Sequence, residues 1–272
     1  MTDVTEMATP AAVRAHALAT RPRHSFNDIP ERRDRLDTML RLVHARLAEL
    51  GSADAWGQYV SGLARFPQLS PANVLLVLEQ HPDATWLSTH RGWGSLERTP
   101  IERGIAVLIP TIRHRRVDGR TVWDGGRPVV DEVRHRPATV FDYSSTAGAH
   151  IPPLWDEPTR DPQDGFVDDL RAAAAAVGYA VEARRDEAPA GRRVIALIHG
   201  HSERQRALKL AHELGEAAGA RDGAALFAYA LCTANGMDVT APAQPADPVP
   251  IVTAASSALR RILQRTGFRN MR

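Results

Sequence analysis

The chain carries a single cysteine, Cys232, so no internal disulfide can form and the fold must rest on a packed core. No apolar run opens the sequence, and no stretch approaches the roughly 20 apolar residues that a membrane-spanning helix needs. Neither export nor membrane insertion is therefore expected, and a cytoplasmic protein without a membrane partner is. Net charge is also scarce. A formal +2 with a pI of about 9.0 permits nucleic-acid contact without arguing for it, so the placement of the arginines matters more than their number. No internal repeat and no long low-complexity tract stands out. What remains is an ordinary globular composition, 43% hydrophobic and 24% charged over 272 residues, which suits two modest domains.

Residues 1–28 mix Ala, Thr, Pro and scattered arginines without periodicity and read as a loosely ordered arm. From Pro30, apolar residues at helical spacing (Leu36, Met39, Leu40, Val43, Leu47) predict a helix that stops at Gly51. A second helix follows a Ser52 or Asp54 cap. A third, Pro71 to Gln80, has Ser70 as its cap and proline at its first position. The run Ile105 to Pro110 reads as a strand, and Asp118-Gly119 between β-rich segments predicts a hairpin with a primed turn. Together these give an α+β fold, a small antiparallel sheet with helices packed on one side. Residues 154–165 are proline-punctuated and form the expected linker. Beyond it, residues 166–272 read as a mostly helical domain with two strands, Tyr179 to Ala183 and Val194 to Ile198. Its helices are expected over Phe166–Val177, Ser202–Ala218, Asp222–Asn235 and a final amphipathic stretch up to Gly267.

Particular residues carry a family resemblance. Trp56, Phe66, Ser70, Asn73, the run Gln80-His81-Pro82-Asp83-Ala84-Thr85, Arg91, Trp93, Leu96, Gly104-Ile105-Ala106 and Pro110 resemble the N-terminal single-stranded-DNA-binding domain of ArdC-type antirestriction proteins. Val140-Phe141-Asp142-Tyr143-Ser144-Ser145-Thr146-Ala147-Gly148 is similar to that domain's closing signature, with Ser145 where glutamine is usual. The resemblance spans roughly Asp54 to Pro153, within a first domain drawn at residues 29–153. It implies single-stranded DNA as partner and an origin on a mobile element; no protein partner is implied. The DNA-binding candidates are Arg91, Trp93, Arg98 and Arg103, with Arg113, Arg115 and Arg116 on the hairpin, because single strands are held by basic grooves and by aromatic faces on which bases stack. Burial preference offers the plainer alternative that the tryptophans anchor the core. The family's lysine-rich loop is replaced here by Glu97-Arg98-Thr99-Pro100-Ile101-Glu102-Arg103, which implies fewer phosphate contacts and weaker binding than the family norm.

A second resemblance lies in Leu210-Ala211-His212-Glu213-Leu214-Gly215-Glu216, which looks like the active-site helix of zincin metallopeptidases of the ImmA/IrrE kind. Their His-Glu-x-x-His motif puts two zinc ligands on one helix face and a glutamate as general base on the metal-bound water. By that resemblance His212 is a metal ligand and Glu213 the catalytic base, while Glu216 replaces the second histidine. The family's third ligand falls where this chain reads Gly223-Ala224-Ala225. The expectation is a degenerate zincin-like domain, an inactive pseudoenzyme without a cofactor. The alternative is a zinc-dependent endopeptidase with an altered ligand set, drawing on His199, His201 or Glu203.

Overall fold

Three serines open helices as their sequence context predicts. Ser52, Ser70 and Ser202 lie in extended backbone, and each hydroxyl accepts a hydrogen bond from the amide three residues on, at Ala55, Asn73 and Gln205. They start α2 (Ala53–Arg65), α3 (Pro71–Gln80) and α6 (Glu203–Ala217); at Ser202 the Gln205 side chain returns a bond to the serine amide and completes a capping box. The computed structural model describes residues 26, 29, 31–151, 159, 161–184, 193–198 and 200–266. Apart from Phe26, the expected arm lies outside those residues, as does much of the expected linker.

The helix α1 (Arg32–Glu49) precedes α2, and α4 (His90–Gly94) separates the first two strands. The β-rich stretch runs β1 (Leu87–Ser88), β2 (Arg98–Pro100), β3 (Ile105–His114), β4 (Arg116–Val117), β5 (Arg120–Thr121), β6 (Trp123–Asp124), β7 (Arg127–Pro128), β8 (Val130–Asp142) and β9 (Thr146–Gly148). Next come α5 (Phe166–Ala176), the parallel pair β10 (Ala180–Arg184) and β11 (Val194–Ile198), α6, α7 (Ala224–Ala234) and α8 (Pro248–Thr266). The fold is α+β. Its main sheet has the order β1-β8-β3, with β3 and β8 antiparallel from Ile105↔Val140 to Arg113↔Glu132. No helix among the described residues is long and apolar enough to cross a membrane.

The strand β3 is an edge strand, and an open edge of unpaired amides invites pairing with another chain. Here α3 closes it. The Asn73 carboxamide donates to the Leu108 carbonyl (2.9 Å) and accepts from the Leu108 amide (2.8 Å). One β-repeat further along, the Gln80 carboxamide does the same to Ala106, both at 2.8 Å. A side-chain amide holds a donor and an acceptor at the spacing of a peptide group, so two of them on one helix face stand in for a missing strand. The next outward-pointing residue of β3 is Pro110, which has no N–H to leave unpaired. The expectation of helices on one side of the sheet is thus corrected: α3 lies along the edge, sending Leu76 into the cluster with Met39, Val43, Ala106 and Leu108, and Val77 into the one with Phe66, Ile105 and Val107.

The largest buried cluster takes Trp56, Tyr59, Val60 and Leu63 of α2 together with residues of α5 through α8. Polar contacts tie the same parts: Trp56 Nε1 donates to the Pro242 carbonyl (3.0 Å), and the Gln244 amide to that of Leu50 (3.1 Å). Within this cluster α6 and α7 approach closely at Gly215, where an added Cβ would sit 3.0 Å from Phe227 Cδ1 and 3.2 Å from Ala224 Cα. Glycine is the residue that lets those backbones meet.

Candidate nucleic-acid interface

Beyond Ile109 the β3–β8 ribbon loses its helical cover: residues 110–113 and 133–136 are exposed on both strands. At its far end three two-stranded arms meet, β3–β8, β4–β5 and β6–β7. Their junction is a closed ring of backbone hydrogen bonds, in which Val122 donates to Arg115 (2.9 Å), Val129 to Val122 (2.9 Å) and Arg115 to Val129 (2.8 Å). Both small arms close through turns whose two central residues have positive φ, Asp118 (49°) and Gly119 (76°) in one and Gly125 (53°) and Gly126 (77°) in the other. That is the geometry of a primed two-residue hairpin, and the Asp-Gly signal in the sequence gave the first of them.

The second arm repeats the first. Arg116 to Val122 and Trp123 to Val129 align over seven residues, agreeing at Gly119/Gly126, Arg120/Arg127 and Val122/Val129. The expectation of no internal repeat is therefore wrong at this scale. A period of one tight hairpin plus one junction residue is far shorter than the 20–50 residues at which repeats ordinarily declare themselves.

Arginine dominates the ribbon's polar surface. Arg115 pairs with Asp131 (3.5 Å) and Arg134 with Glu132 (2.7 Å). The Arg134 hydrogen bond holds the Glu132 carboxyl below its usual range, and Arg113, directly across the ladder, adds to this. By contrast Arg116, Arg120, Arg127 and Arg136 are exposed and make no ion pair with any described residue. Of the predicted hairpin residues, Arg116 thus presents an uncommitted guanidinium, while Arg113 and Arg115 stand beside carboxylates. Sequence reasoning passed over Arg120 and Arg127, which the seven-residue repeat could have found.

The other predicted contacts fall elsewhere. Arg91 is exposed on α4 and Arg103 on the turn before β3. The ten residues of β3 separate that end from the junction by roughly 30 Å at ~3.4 Å per residue, so the two arginine groups do not form one patch. Trp93 has 0% exposure; its indole donates to the Phe141 carbonyl (2.9 Å) and its ring meets Trp86 edge-on at 5.3 Å. It offers no face to a base. Arg98 is buried with its guanidinium 4.0 Å above the Tyr143 ring, bonded to the Thr146 hydroxyl (2.8 Å) and carbonyl (2.7 Å) and to the carbonyls of Gly148 (3.4 Å) and Ala149. Each of its three guanidinium nitrogens donates to an oxygen of the protein itself. Both residues lock β9 and the end of β8 against α4 and β2, which corrects their assignment as DNA contacts.

On α6, Glu213 is paired with Lys209 (2.8 Å), and His212 Nδ1 lies 3.9 Å from Glu216 Oε1, with both side chains about half exposed. No group of three or more His, Cys, Asp or Glu among the described residues is placed to hold a metal. Glu203 faces Arg206 (3.9 Å), and His199 lies outside the described residues. One imidazole and one carboxylate would leave zinc mostly hydrated, so the donors among the described residues do not make up a catalytic zinc centre. At Gly223, where the zincin resemblance would put a third ligand, a Cβ would stand 2.8 Å from the Ile251 carbonyl oxygen and 3.1 Å from the Ala255 nitrogen, both backbone atoms of α8, which leaves no room for a longer side chain. Ala225, exposed on the first turn of α7, has room. After dialysis the purified protein is expected to hold far less than one equivalent of zinc by elemental analysis, and Glu216→His with Ala225→Glu to raise that content. Stoichiometric zinc lost on His212→Ala would reverse the conclusion.

No family model matches the chain, and neither does any curated protein. Among solved structures it is similar to the metal-free crystal structure of the antirestriction protein ArdC from plasmid R388, at 15% identity and a TM-score of 0.45 over 86% of this chain and 96% of that one. The Mn(II)-bound crystal structure of the same ArdC is similar at 16% identity and a TM-score of 0.41, over 82% of this chain and 98% of that one.

Proposed function

We propose that the chain binds single-stranded DNA through the three-armed end of the β3–β8 ribbon. The observation that carries this reading is the set of exposed arginines, Arg116, Arg120 and Arg127, that make no ion pair with any described carboxylate and stand on two tightly turned arms. A guanidinium presents a planar fork of donors that matches phosphate oxygens two at a time, and it remains charged at any working pH. Lys209 is the sole lysine of the chain, so guanidinium groups make up nearly all of its permanent positive charge. Contacts to phosphate carry no sequence code; binding of this sort is tolerant of sequence and sensitive to salt. The resemblance of residues 54–153 to the ArdC-type domain implies the same ligand and an antirestriction role. In this reading residues 29–153 make the contact, and residues 166–272 are a zincin-like scaffold that supports it.

Fluorescence anisotropy with a labelled single strand across a salt series tests the proposal. Replacing Arg116, Arg120 and Arg127 together by alanine is expected to weaken binding on every oligonucleotide alike, by tenfold or more at low salt. The slope of log affinity against log salt should fall by about 2, at ~0.7 per lost phosphate contact on a single strand. Replacing Arg91 and Arg103 should change neither. Unaltered affinity and slope in the triple variant would remove the ribbon from the interface.

A further inference from the structure

Trp56 and Trp93 are buried and Trp86 packs against Trp93 and Tyr143, whereas Trp123 keeps 63% of its surface in water. It begins β6 directly across from Pro128, with Arg127 next along the facing strand and Arg120 three residues earlier on the neighbouring arm. Its indole N–H donates to no described residue, and no other described aromatic ring stacks against it. A tryptophan side chain is among the largest apolar surfaces a chain can bury, so leaving one in water on a short arm brings the fold little. The same ring, flat, exposed and on the arm that also carries Arg127, offers a free face on which an unpaired base can stack.

We propose that Trp123 is the base-stacking residue of this interface and that it makes the ribbon selective for unpaired strands. The inference rests on the single-strand reading above and deepens it. Arg120 and Arg127 attract any polyanion, single or double. Stacking on Trp123 is open only to a base whose face is free, because in a duplex each base is already covered by its neighbours and inserting a ring means unstacking a step. Every base has such a face, so the selectivity is for strand state and not for sequence. Stacking on the ring face does not read a ribose hydroxyl; single-stranded DNA and RNA therefore count as the same ligand for this contact.

The full chain, with and without Trp123→Ala, is titrated against labelled oligo-dT, oligo-rU and a DNA duplex of equal length. Trp123→Ala is expected to weaken both single strands by roughly 5- to 150-fold, the span of one lost base–aromatic stack. It should leave the duplex affinity and the salt slope unchanged, since no charge is removed, and Trp123→Phe should restore most of the loss. The arginine variants differ in kind: they weaken single strands and duplex together and flatten the slope. Single-strand affinity undiminished in Trp123→Ala, or an equal loss on the duplex, would overturn the inference while leaving the interface in place. A wild-type protein that binds none of the three would sink the interface and the inference together. Because Trp123 is exposed, a thermal melt matching that of the wild type is the expected control.

Discussion

Gln80→Leu is expected to lower the melting temperature by on the order of 10 °C. Leucine nearly matches glutamine in volume, so packing is kept while the Ala106 amide and carbonyl, now clipped by the Gln80 carboxamide at 2.8 Å each, lose their partner in a buried place. Stranding a buried backbone group costs about 1–3 kcal/mol, and two are stranded here. A chain of this size shifts by roughly 2–4 °C per kcal/mol. The variant also reopens the edge of β3 and should self-associate more readily when warmed, because an open ladder edge is a template for another strand. Scanning calorimetry checks the first effect and light scattering near the transition the second. A melt within a degree of wild type would show that the clip is incidental to stability. Exchange of the Ala106 amide with solvent gives the local readout and should accelerate strongly.

Asp142→Ala is expected to destabilise comparably, about 3 kcal/mol or more, and to do so in a pH-dependent way. The carboxylate is 1% exposed and accepts four hydrogen bonds, from the Thr85 and Trp86 amides (2.7 and 3.0 Å) and from the Ser144 amide and hydroxyl (2.9 and 2.6 Å). Burial pushes its pKa up, but the bonds from Ser144, Thr85 and Trp86 outweigh this and hold it below the ordinary carboxylate value. A depressed folded-state pKa stabilises the fold fully above the unfolded value of about 3.9, and that stabilisation is lost as pH falls through the folded value. The stability gap between wild type and variant should therefore stay level from about pH 8 down to about pH 5 and shrink below about pH 4. Denaturant midpoints at intervals across that range measure it. A gap that widened on acidification would contradict the assignment of Asp142 as a charged acceptor.

Both residues lie in the blocks through which the sequence resembles an ArdC-type domain, and both are buried and bonded to distant backbone of the chain itself. Asn73 and Gln80 seal β3, Asp142 ties the end of β8 to the Thr85-Trp86 turn, Trp93 caps that junction, and Arg98 fastens β9. The motif is a recipe for packing. The exposed arms with Arg116, Arg120, Trp123 and Arg127 lie between the two blocks, where nothing but turn chemistry constrains the residues, so the sequence pointed to Arg116 on the first arm and not to Arg120, Trp123 or Arg127.

The sequence alone determined whatever depends on neighbours within a few positions. Serine caps at Ser70 and Ser202 set two helix starts, a cap at Ser52 or Asp54 a third that the structure gives to Ser52, proline at 71 set the first turn of α3, and Asp118-Gly119 set a primed hairpin, because each effect is complete within four residues. The tertiary structure decided what each side chain can touch. Trp93 and Trp123 are the same residue in similarly polar surroundings, but Phe141, Trp86 and Tyr143 close over the first, and nothing described covers the second. Arg98 and Arg116 differ in the same way, one enclosed by carbonyls about 50 positions away in sequence, the other standing on an arm too short to fold back on itself. Burial is a property of what arrives from elsewhere in the chain. No local pattern encodes it, and for that reason the exposed arginines and tryptophan were told apart from those that build the core only once the strands, the edge helix and the three-armed junction were in place.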